Sequence, residues 1–126
     1  MIYLDTSALV RFFTGDDEIK NAKVKQLLYK EKHICVSDVV FPELEYVLTK
    51  SYKKNRFDII SAFTFLASQS NILLTKTLRR ALIIYDQTYL DMADCLIATS
   101  SIRGKLASFD KKLLHTTGVK SYWLEN

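Results

Sequence analysis

Short apolar runs alternate along the chain with longer stretches in which apolar residues recur every three or four positions. "IYL", from Ile2, reads as a short buried strand, and "SALVRFFTG" as one or two helical turns ended near Gly15. "DDEIKNAKVKQLLYKEK" opens with acids and carries Ile19, Ala22, Leu27 and Leu28 at roughly helical spacing between lysines, which predicts an amphipathic helix. "HICV" is a second strand, with "SD" as a cap for the helix in "VVFPELEYVLTKSYKK". Pro42 is tolerated only in a first turn, so that helix begins near Val39 or Val40. "FDIISAFTFLASQ" turns Ile59, Ile60, Phe63, Leu66 and Ala67 inward, and "NILL" is a third strand. "TKTLRRALIIYDQT" keeps the helical period through Leu78, Ala81, Leu82 and Tyr85. "YLDMADCLIATSSIRG" is the most apolar helix, with Gly104 as a natural stop. "KLASF" reads as a strand, "DKKLLHTTG" as a short helix or turn, and "VKSYWL" as a last strand. The alternation predicts an α/β fold: a central parallel sheet of about four to five short strands, with helices on both faces. In such a sheet, groups at the carboxyl ends of the strands share one edge, where ligands usually bind.

At 126 residues the chain suits one domain, 1–126, with enough length to bury a core without disulfides. Cys35 and Cys95 each lie inside an apolar stretch and read as buried reduced thiols, neither a disulfide framework nor a zinc site. The start "MIYLDTSAL" lacks the basic and apolar segments of a signal peptide, and no stretch approaches ~18 continuous apolar residues, so a cytoplasmic protein without membrane contact is expected. The net charge of +4 permits a polyanionic partner but does not by itself argue for one.

What needs explaining is where the acids fall. Asp5 ends the strand "IYL" and Asp110 ends "KLASF"; if those strands are parallel neighbours, both carboxylates sit at one edge. Glu43 lies one turn into its helix, soon after "HICV" leaves that edge. Asp91 and Asp94, three apart, project from one face of the apolar helix. For Asp91 the alternative is a first-turn acid favoured by the helix dipole. Carboxylates gathered in one cleft repel each other unless some are protonated or a cation holds them. Hard oxygen donors without His or Cys suit Mg²⁺ or Mn²⁺, the ions of phosphoryl and phosphodiester chemistry. "KKNR" (Lys53 to Arg56) and "LRR" (Arg79, Arg80) are either solvated faces or contacts for the rest of a polyanion. His33 and His115 read as structural or exposed.

"IYLDTSALV", "VSDVVFPELEYVL", "DMADCLIATS" and "LASFD" resemble, in order, the four successive motifs of the PIN-domain ribonucleases, and most nearly those of the VapC-type toxins of toxin–antitoxin pairs. Each motif is short; the ordered set across nearly the whole chain is what is specific. The resemblance implies one or two Mg²⁺ or Mn²⁺ ions and metal-dependent endoribonuclease activity, with Asp5, Glu43, Asp94 and Asp110 as catalytic metal ligands and Asp91 as an additional acid that only some relatives have. Glu45 competes with Glu43, but the "EL" step and the pattern Leu44, Val47, Leu48 favour Glu43. Of the hydroxyls behind the ligands, Ser7 is favoured over Thr6, and Ser108 stands where a threonine is commoner. The link "SSIRGKLA" is short for the family. The same resemblance implies an RNA substrate, transfer RNA being the commonest target, a homodimer, and a VapB-type antitoxin partner. Alternatives are a catalytically silent RNA-binding domain of the same fold and a nuclease of RNA maturation or of DNA. A phosphatase with Asp5 as nucleophile is disfavoured because Ser7 stands where its second acid belongs.

Overall fold

The first three apolar runs pair side by side. In a computed structural model that describes residues 1–123, Ile2–Tyr3 (β1), Ile34–Cys35 (β2) and Ile72–Leu73 (β3) form a parallel sheet in the order β1-β2-β3. Ile2 lies opposite Ile34 and Ile34 opposite Ile72, and Leu4 and Val36 follow on the same face by the period of two. Ile34, Ile72, Leu4 and Val36 are all buried, each worth about 2 kcal/mol of hydrophobic stabilisation.

Thr6–Thr14 (α1) and Glu18–Lys30 (α2) connect β1 to β2, and Val40–Lys50 (α3) and Arg56–Ser68 (α4) connect β2 to β3. Parallel crossovers are right-handed, so two that step in the same direction carry their helices over one face of the sheet. Polar side chains set the helix ends. Asp5, Asp17 and Asn55 cap α1, α2 and α4, and Asn55 with Asp58 forms a reciprocal capping box. Gly15 closes α1 at φ 64°, a left-handed conformation that glycine adopts without steric cost, and donates its N–H to the Arg11 carbonyl. α3 begins at Val40 with Pro42 in its first turn, as expected, but the preceding "SD" gives it no side-chain cap. The Asp38 carboxylate is taken instead by the Thr75 hydroxyl at 2.7 Å, and backbone turns from Ser37 and Asp38 start the helix.

The inward side of α2 differs from expectation. Ile19 and Ala22 are exposed, Val24 is the buried residue, and Leu27 and Leu28 are half-buried. Asn21 sets this rotation: its side-chain amide donates to the carbonyls of Arg11 and Phe12 and ties α2 to the end of α1. Leu9, Phe41, Leu44, Ile59 and Leu66 complete this core, with Phe41 against Phe63 at 5.1 Å between ring centroids.

These elements form one of two compact units, Met1–Thr75; the other, Lys76–Asn126, is described to residue 123. In the second, Lys76–Gln87 (α5) packs against Met92–Ser100 (α6). Leu78, Ala81, Tyr85, Met92, Cys95 and Ala98 are buried there. Lys111–Leu114 (α7) is a single turn. The two strands expected at "KLASF" and "VKSYWL" reduce to one parallel bridge between Leu106 and Ser121; Leu124 lies outside the described residues. Leu106 makes both bonds of that bridge, accepting from the Tyr122 N–H and donating to the Lys120 carbonyl, and no further ladder pair joins it. The described sheet therefore has three strands where four to five were expected. Beyond the bridge, Phe109 stacks on Trp123 with centroids 4.7 Å apart. Cys95 is buried and Cys35 half-buried, both free. Among the described residues no helix is long and apolar enough to cross a membrane.

Candidate active site

β1 and β2 are neighbours, and each hands its chain to a helix at the same edge of the sheet. Asp5 follows β1 in extended conformation and caps α1: one carboxylate oxygen, Oδ1, accepts from the Ala8 N–H at 3.1 Å and from the Ser7 hydroxyl at 2.8 Å. The Ser7 hydroxyl, and after it the Ala8 N–H, hold the Asp5 carboxyl below the ordinary aspartate range, so it is an anion at neutral pH. Glu43, in the first turn of α3, accepts from the Thr6 hydroxyl at 2.8 Å. Both hydroxyls of "DTS" are thus engaged, one on each acid, where Ser7 alone was favoured. Asp5, Thr6, Ser7 and Glu43 line one open cleft of roughly 520 Å³, with Val47 and Tyr52 across it; Glu45 is not on its wall.

A network the sequence did not single out stands beside these acids. Asp16 accepts from the Tyr52 hydroxyl at 2.6 Å, from Arg11 Nη1 at 2.9 Å and from the Thr14 hydroxyl at 3.0 Å. Tyr52, then Arg11, lowers its carboxyl to about 2. Thr14 and Asp16 flank Gly15 in "TGD", a turn signature; the partner 36 residues away, Tyr52, leaves no mark in the local pattern.

In the second unit the acids also stand at helix starts. Asp91 caps α6, accepting from the Asp94 N–H at 2.8 Å. Asp94 is half-buried in the first turn of the same helix. Asp110 caps α7, accepting from the Leu113 N–H at 3.1 Å. It follows no strand among the described residues, and Ser108 bonds its backbone N–H at 3.0 Å and so shapes the turn.

A model of the PIN domain matches residues 2–119. The chain belongs to the PIN domain family. No curated protein matches it as an individual relative. PIN domains are typically nucleases, and they generally use divalent metal ions. Among the described residues no three His, Cys, Asp or Glu side chains stand close enough to hold a metal ion. Mg²⁺ needs fewer: it is commonly held by one or two carboxylates, keeping waters and substrate phosphate for its other positions. Asp5 and Glu43, all-oxygen donors on one cleft of this PIN domain, fit that requirement.

Proposed function

We propose that this PIN domain is a divalent-metal-dependent endoribonuclease. The observation that carries the reading is the pair Asp5 and Glu43, each fixed by its own hydroxyl on one cleft at the carboxyl edge of β1 and β2. Such an ion supplies a Lewis acid for the phosphate and lowers the pKa of an attacking water. Asp5, kept anionic by Ser7 and the head of α1, and Glu43 would hold it; Ser7 and Thr6 fix the two carboxylates so that little rearrangement accompanies loading. The motif resemblance assigns Asp94 and Asp110 to the same task and implies cleavage to a 5′-phosphate and a 3′-hydroxyl. No histidine takes part: His33 is exposed, and His115 ends α7. RNA incubated with the protein in EDTA should stay intact and be cut when Mg²⁺ or Mn²⁺ is restored. Undiminished cutting in chelator overturns the mechanism.

The narrower reading is a toxin of the VapC type, restrained in the cell by a small antitoxin. Its support is the order and likeness of the four motifs. Expression should arrest growth, with Asp5→Asn harmless; equal arrest by both would detach toxicity from the cleft.

A further inference from the structure

Behind the acidic cleft, α1 and α2 leave a second groove of roughly 310 Å³, and its walls are basic. Arg11 comes from α1, and Lys20 and Lys23 from α2, with Ser7 at one end and Val24 behind. Arg11 and Ser7 line this groove and also the cleft that holds Asp5 and Glu43, so the two depressions are neighbours that share those side chains. Residues i and i+3 share a helix face, which is how Lys20 and Lys23 come to point together.

Of these cations, Arg11 is ion-paired with Asp16 at 2.9 Å, and Lys20 is held only loosely by Asp17. Lys20 stands 4.0 Å from Asp17, the limit of an ion pair, with both side chains well exposed, a geometry worth little. Arg11 gives one nitrogen, Nη1, to Asp16, and that carboxylate also receives the hydroxyls of Tyr52 and Thr14. A guanidinium has five N–H donors, so Asp16 fixes the orientation of Arg11 and leaves most of its fork for another anion. Asp16 is in this sense a positioning residue for Arg11.

We propose that the α1–α2 groove is a phosphate-backbone subsite, in which Arg11, Lys20 and Lys23 take the phosphates of single-stranded RNA next to the one at Asp5 and Glu43. This extends the nuclease reading above and names how the strand is seated. It also explains an acidic reaction centre in a chain of net positive charge: the acids face the reacting phosphate, and the groove attracts the strand beside it.

The test measures binding apart from cleavage. The full chain is titrated in EDTA against a short fluorescein-labelled single-stranded RNA over a KCl series, following anisotropy. Each single-strand phosphate contact contributes about −0.7 to the slope of log K against log salt, so Lys20→Gln with Lys23→Gln should flatten the slope by about 1.4. The pair Lys30→Gln and Lys32→Gln removes the same charge at and just past the far end of α2 and should leave the slope as in the wild type. Equal flattening by both pairs, or by neither, overturns the subsite. Cleavage with Mn²⁺ is read in parallel, where the groove pair should raise KM and leave kcat unchanged. A wild type that binds with the expected slope change but never cuts keeps the groove and removes the nuclease reading. One that cuts while the groove pair binds normally does the reverse.

Discussion

The caps at the head of α1 and at the head of α6, Asp5 and Asp91, begin alike and differ in what joins them. Asp5 and Asp91 are both extended, and both accept the N–H three positions on. At α1 the hydroxyls join in: Ser7 binds Asp5, and Thr6 reaches Glu43 across 37 residues, so a local cap becomes one wall of a cleft. At α6 the capping bond runs from the first-turn Asp94 back to Asp91 and stays within one helix. A carboxylate at a helix start is thus stabilised twice over, by the N–H groups and by the dipole, without any ion. At the head of α1 a second, distant acid, Glu43, is brought to the same cavity as the cap.

The sharpest way to break this contrast keeps the caps and removes the charges. Asparagine caps a helix about as well as aspartate, so Asp5→Asn should leave the thermal midpoint nearly unchanged while RNA cleavage falls by at least ~100-fold. Asp94→Asn should lose cleavage comparably, on the motif resemblance. If both retain activity, the ligands are elsewhere. Thr6→Val comes next: it keeps the shape and strips Glu43 of its 2.8 Å donor, and should cost roughly tenfold in kcat/KM with little change in stability. At α6, Asp91→Ala should destabilise by about 1 kcal/mol in urea titrations, and Asp91→Asn should recover it. Normal cleavage by Asp91→Asn marks this acid as a cap; a large loss makes it a ligand and erases the contrast.

The smallest effect belongs to acid pH. The Asp16 carboxyl lies at about 2 in the folded chain, below the ordinary aspartate value of about 3.9. A depressed value gives stability that is present above about pH 4 and is lost as pH falls toward about 2. Melts of the wild type and of Asp16→Asn should therefore converge across that window. A constant gap between them would mean that the network with Arg11 and Tyr52 is held by something other than this charge.

Much of the fold was legible because its signals are local. Gly15, Pro42 and the three isoleucine-bearing runs each act within a few residues, and the helices that follow from them lie where the pattern puts them. Where the pattern misled, a distant partner had the deciding role. Ile19 fits a helical stripe, yet Asn21, bonded to two carbonyls of α1, turns that stripe outward and Val24 in. "KLASF" has the composition of a strand, but a strand exists only where a partner ladder runs alongside, and Leu106 finds one residue. The same division holds for the cleft. Asp5 and Glu43 were visible as acids placed after strands, whereas Arg11, Asp16 and Tyr52 are ordinary surface residues until folding sets them side by side.

One feature of the second unit has an optical use. The chain contains a single tryptophan, Trp123, and its indole lies face to face with Phe109, the residue before Asp110. Excited at the red edge of its absorption, where the seven tyrosines contribute little, the tryptophan emission is a one-site signal. A rearrangement at Asp110 that moves the Phe109 ring against the indole should change that light without a label.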